Sequence, residues 1–139
     1  MARIAKCHCG DLQAKCEGEP EHIFMCHCES CQRRTGSTYS VAAWFPKELV
    51  TTTGETKEYV RTGDGGSVIT LNFCPNCGTN ICFSPTGDLS PLIGVPVGCF
   101  VDPAFPPPTL SVYGKRRHNW VVQPDGCPSF TGDPNSELE

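Results

Sequence analysis

Apolar and polar residues alternate with a period of two over several short stretches, and that period predicts strands. In DLQAKCEG, Leu12, Ala14 and Cys16 fall on one face, with charged or amide side chains on the other. TYSVAAWF is an almost unbroken apolar run ended by Pro46 and reads as a mostly buried strand. LVTTTGETKEYV divides into two β-rich pieces around Gly54, and VITLNF sets Ile69, Leu71 and Phe73 against Thr70 and Asn72. PLIGVPVGCFV and TLSVYG are further strands, interrupted by Pro and Gly in the manner of edge or bulged strands. Only ESCQRR reads as a helical turn. The pattern predicts a mainly β chain. It is read as one domain over residues 1–130, followed by a polar, loose tail over 131–139.

Composition strengthens this picture. Gly and Pro together fill 27 of 139 positions and charged residues only 19%, which favours short strands and many turns over a helical bundle. No run of 18 apolar residues exists, so no membrane span is expected. The opening MARIAKCHCG has no apolar stretch of the kind that directs secretion, and a cytoplasmic protein is expected.

Eleven cysteines then change the question from fold to chemistry. Their number is odd and no export signal precedes them, so metal binding fits better than an oxidised framework. CHCG supplies Cys7 and Cys9, which share a side if the segment is extended. CPNCG supplies Cys74 and Cys77 on a knuckle, where Pro75 and Asn76 suit the turn and Gly78 tolerates its backbone. Two such pairs make a closed four-sulfur zinc site of the structural kind, tied across 64 intervening residues.

CHCESC is different. Cys26, Cys28 and Cys31 supply three sulfurs, and catalytic zinc sites characteristically keep three protein ligands and one open position. The fourth ligand is either a substrate or a side chain brought in by folding: His8, a spare cysteine or His27, which should point to the opposite strand face. Cys16, Cys82, Cys99 and Cys127 read as small buried hydrophobes. Seven thiolates add −7 and two zinc ions +4, which takes the formal −4 to about −7. So acidic a protein is a poor general nucleic-acid binder.

Taken together, CHCG, CHCESCQRRTGS and FCPNCGT resemble the glutathione-dependent formaldehyde-activating family, which includes the centromere protein V type. The resemblance covers about residues 5 to 130, through KRRHNWV and DGCPSF, similar to the family's Arg…Trp…Asp-Gly closing segment. It implies a β-tent fold of short twisted antiparallel sheets stapled by two zinc ions. By motif match, Cys7, Cys9, Cys74 and Cys77 hold the structural ion and Cys26, Cys28 and Cys31 the catalytic one. The implied activity is that of a carbon–sulfur lyase or synthase, joining or splitting a glutathione-like thiol and formaldehyde or a related small aldehyde. One position departs from the family: Ser111 stands where a His is expected, which points to a different substrate.

A small anionic thiol, or its aldehyde adduct, needs cations beside a negative sulfur centre. Arg33 and Arg34 follow Cys31 directly, and Lys115, Arg116, Arg117 and His118 form a second cluster. Arg33, Arg34 and Arg117 are the expected substrate contacts; the plain alternative is a solvated turn. Trp44 and Trp120 read as core residues. No residue is assigned to proton transfer, for which His22 and His27 are weak candidates. Two rival functions stand beside the enzyme: a zinc-stabilised binding module, or a thiol sensor in which CHCESC oxidises reversibly. A homo-oligomer is open.

Overall fold

In the computed structural model, which describes residues 1–63 and 65–139, the alternation in DLQAKCEG becomes the centre of a three-stranded antiparallel sheet. Its strands are β1 (Ala2–Lys6), β2 (Gln13–Glu17) and, further along the chain, Val50–Thr53, in the order first, second, third. Ala5, Leu12, Ala14 and Cys16 are fully buried, so one face of this sheet is core, as the period of two requires. The Val50–Thr53 strand is β5, and the other strands among the described residues are β3 (His22–Cys26), β4 (Ser40–Pro46), β6 (Lys57–Thr62), β7 (Val68–Phe73), β8 (Asn80–Pro85), β9 (Leu92–Pro96) and β10 (Leu110–Val112). A two-turn helix, α1, spans Glu29–Thr35 where ESCQRR predicted it. The chain is mainly β, as expected. No helix among the described residues is long and apolar enough to cross a membrane.

The chain divides into two compact units, Met1–Glu21 with Ala43–Ala104 and His22–Ala42 with Phe105–Glu139. In the first unit β9, β8, β7 and β6 lie side by side and antiparallel, with Leu71 opposite Phe83 and Phe83 opposite Gly94. Trp44 meets the Phe83 ring edge-on, their centroids 5.2 Å apart. A β-carbon at Gly94 would fall onto that ring, with two of its atoms only 2.8 Å away. Gly94 therefore serves close packing. Gly94→Ala is expected to cost about 1–3 kcal/mol through overpacking, read as a lower urea midpoint at unchanged slope. A variant as stable as the parent would refute this.

In the second unit β3 and β10 pair in parallel, with Ser111 beside Met25 and Val112 beside Cys26. This pair departs from the expected all-antiparallel arrangement. β3 buries Ile23, Phe24 and Met25 in succession, so both its faces are covered and it shows no alternation. The segment after Pro128 is the larger correction. It is polar, yet it is not loose: Ser129 bridges Ser111, Phe130 bridges Leu138, and the Thr131 and Glu139 amides donate to the Glu137 and Ser129 carbonyls. Backbone pairing orders it without the apolar residues that a sequence pattern detects.

Candidate metal centres

The first cysteine group sits on two hairpin turns of the first unit. Cys7 and Cys9 lie in the turn between β1 and β2, where the Gly10 amide donates to the Cys7 carbonyl at 3.1 Å. They are not on an extended segment, as the spacing suggested; the tight return of the chain brings both sulfurs to one side. Cys74 and Cys77 lie in the turn between β7 and β8. Gly78 there has φ of 81°, a value that favours glycine, and its amide donates to the Cys74 carbonyl at 2.8 Å. The Cys7–Cys9 and Cys9–Cys74 sulfur separations are both 3.7 Å, and all four sulfurs lie within 4.8 Å of one another. A tetrahedron with metal–sulfur bonds of about 2.3 Å has edges of about 3.8 Å, so the donor set fits a tetrathiolate ion. Amides from Leu12 and Cys77 donate to the Cys7 and Cys74 sulfurs, and such bonds favour the thiolates a metal requires. The hydroxyl and backbone of Thr79 hold the Cys77 thiol down at about 5.

The second group lies wholly in the second unit. Cys26 ends β3, Cys28 is the extended N-cap of α1, and Cys31 is in the first helical turn. The Cys28 sulfur accepts the Cys31 amide at 3.3 Å, so capping and clustering use the same atom. The three sulfurs lie within 4.8 Å of one another, and among the described residues no His, Cys, Asp or Glu supplies a fourth ligand atom to the group. Three thiols this close share protons unevenly. Hydrogen bonds from Cys26 and Cys28, helped by Ser40 and the Arg34 charge, pull the Cys31 thiol far down, while hydrogen bonds with Cys28 and Cys31, together with burial, push Cys26 far up. The set is a soft donor triad suited to a thiophilic ion.

His27 faces away from these sulfurs, as its place between Cys26 and Cys28 predicted. Its ring is fully buried, and Nε2 lies 3.1 Å from the Ser111 hydroxyl. Burial, reinforced by the Arg117 charge, lowers its pKa and keeps the imidazole neutral. Ser111 has no exposed surface either, so it supports the three-sulfur segment from behind. The other histidine candidate, His22, stacks on Phe24.

Of the three arginines expected to meet substrate, Arg34 acts electrostatically on Cys31. Arg33 is 78% exposed and pairs with Glu29 one helical turn back at 2.9 Å. Arg117 pairs with Glu139 at 2.7 Å. The KRRH turn is not a free solvated loop. Gln32 of α1 donates to the carbonyls of His27 and Arg116 at 2.9 and 3.3 Å, and its Oε1 lies 3.0 Å from His118 Nε2. Sequence reasoning missed Gln32, because its partners His118 and Arg116 lie 86 and 84 residues away. It also misplaced Trp120, which is 70% exposed and edge-on to His118, whereas Trp44 is buried as expected. Cys16 and Cys82 are buried, but Cys99 and Cys127 are only half-buried, and none of the four joins a cluster.

Comparison with known proteins agrees with this geometry. The family model described as "Glutathione-dependent formaldehyde-activating enzyme" matches residues 2–116. A Colletotrichum graminicola protein described as "Putative glutathione-dependent formaldehyde-activating enzyme" is 31% identical over 78 residues, 55% of this chain and 40% of that protein. The match thus spans well under half of that relative's length. The crystal structure of a Rhodobacter sphaeroides protein from a structural genomics programme superposes with a TM-score of 0.52 at 21% identity, covering 72% of this chain and 91% of the other. That likeness concerns the fold alone.

Proposed function

Because the chain belongs to the glutathione-dependent formaldehyde-activating family, we propose that it is a zinc-dependent carbon–sulfur lyase or synthase acting on a small anionic thiol and formaldehyde or a similar aldehyde. The observation that carries the reading is the contrast between a four-sulfur group and a three-sulfur group with no further protein donor among the described residues. Cys7, Cys9, Cys74 and Cys77 would hold a structural ion. Cys26, Cys28 and Cys31 would hold a second ion, whose chemistry there would be to lower the pKa of a thiol and make its sulfur nucleophilic at neutral pH.

The remaining roles belong to side chains. Ser40 and Arg34 stabilise negative charge at Cys31 and keep the triad ready for its ion. His27, neutral and buried behind Cys26 and Cys28, fixes that segment: its amide donates to Val112 and its carbonyl accepts from Gln32. Arg33, Arg34 and Arg117 supply the cationic side that a carboxylate-bearing thiol needs, with Gln32 anchoring the second cluster. Holding thiol and aldehyde side by side replaces their bimolecular encounter.

Cobalt substitution tests the reading directly. Glutathione is expected to produce a new sulfur-to-metal charge-transfer band in the cobalt-loaded protein, and S-methylglutathione is not. A spectrum indifferent to every thiol tried would sink the proposal.

A further inference from the structure

The Glu139 carboxylate lies in a formed recess. It receives Arg117 Nη1 at 2.7 Å and the Ser129 hydroxyl, and Arg117 Nη1 also reaches Ser129 Oγ at 3.3 Å. The Glu139 amide donates to the Ser129 carbonyl at 2.8 Å. The floor is Gly114, which is buried, and a β-carbon there would collide with the Glu139 carboxyl group. Gly114 is not among the residues with positive φ, so its missing side chain provides space and not backbone freedom.

The recess adjoins the three-sulfur centre. Val112 sits opposite Cys26 in the β3–β10 register, and Gly114 follows two residues later. His27, between Cys26 and Cys28, reaches the Ser111 hydroxyl at 3.1 Å, and Ser111 bridges Ser129 of the recess. With Glu139 seated, Nη1 of Arg117 is engaged by a carboxylate of the chain itself, although a negative sulfur centre that receives an anionic thiol needs that cation. What holds Glu139 is slight: one part-exposed ion pair, two hydrogen bonds, and the short Phe130–Leu138 pairing.

We propose that Gly114, Arg117 and Ser129 form a carboxylate-binding cradle beside the second centre, and that Glu139 fills it as an internal competitor which the carboxylate of an incoming thiol displaces. The inference deepens the proposed function and rests on it for the identity of the displacing ligand. Glu139 already occupies both Arg117 Nη1 and the Ser129 hydroxyl, so a carboxylate that takes these two donors must displace it, and substrate affinity is set against the closing of the 137–139 segment.

Glu139→Gln removes the charge and preserves the shape. Succinate, which carries carboxylates and no thiol, is the probe, titrated into metal-loaded protein while the Gly114 and Ser129 amides are followed by NMR. Binding at these amides is expected to be about three- to fivefold tighter in E139Q than in the parent, the scale of an exposed ion pair. Equal affinities, or no response at these amides in either protein, would overturn the cradle. In steady-state assays KM for glutathione is expected to fall by a similar factor, with no change for a thiol lacking carboxylates. A fall common to both thiols would indicate general loosening and count against the proposal. Removal of residues 137–139 provides the same comparison if E139Q folds poorly. Since succinate binding needs no turnover, an absence of activity in every protein would count against the proposed reaction and leave the cradle to be judged by the titration.

Discussion

Cys31→Ser is expected to lower turnover of a thiol–aldehyde adduct by about a thousandfold or more, because a catalytic ion's several kcal/mol of transition-state stabilisation depend on retaining that ion. The fold should survive. Cys31 lies on α1, a two-turn helix that buries no residue, and the first unit's four-sulfur group does not involve it. Metal content should therefore drop by one ion per chain while the main thermal transition moves little. Metal analysis, calorimetry and a lyase assay on one preparation check all three. Full activity in the variant would end the catalytic role of the second centre, and a collapsed melting curve would make that centre a structural staple instead.

Cys74→Ser should do the reverse, with the largest effect on stability. Cys74 is 1% exposed, lies 3.7 Å from the Cys9 sulfur and accepts the Cys77 amide, so its loss opens the tie between the β1–β2 and β7–β8 turns. That tie closes a loop of 64 intervening residues, and structural zinc sites contribute many kcal/mol to folding. A loss of more than about 4 kcal/mol, or a fall in Tm of at least about 10 °C, is expected. A strong chelator should reproduce the shift in the parent protein and add little in the variant. A variant melting within about 2 °C of the parent would show that this centre does not staple the fold.

Strands with one wet face announced themselves by alternation, and the covered strand β4 by its apolar run. Leu12, Ala14 and Cys16 alternate because β2 buries one side, and the cysteine groups were visible because ligand spacing is local in sequence. β1 gave little signal, since five residues with one buried position carry almost no pattern. The parallel partnership of β3 and β10 joins residues more than 80 positions apart, which no local periodicity encodes. The same holds for Gln32, whose partners Arg116 and His118 lie 84 and 86 positions away. Trp120 misled for another reason: size and hydrophobicity favour burial on average, but they do not oblige a particular ring to find a core.

At Cys28 one sulfur begins a helix and belongs to a triad. Helix caps are ordinarily forgiving in evolution, since serine, threonine, aspartate and asparagine trade places there at small cost. Here none of those exchanges is neutral, because each keeps the cap and discards a soft donor. Under the proposed function, a position that elsewhere exchanges freely is therefore held by its second occupation.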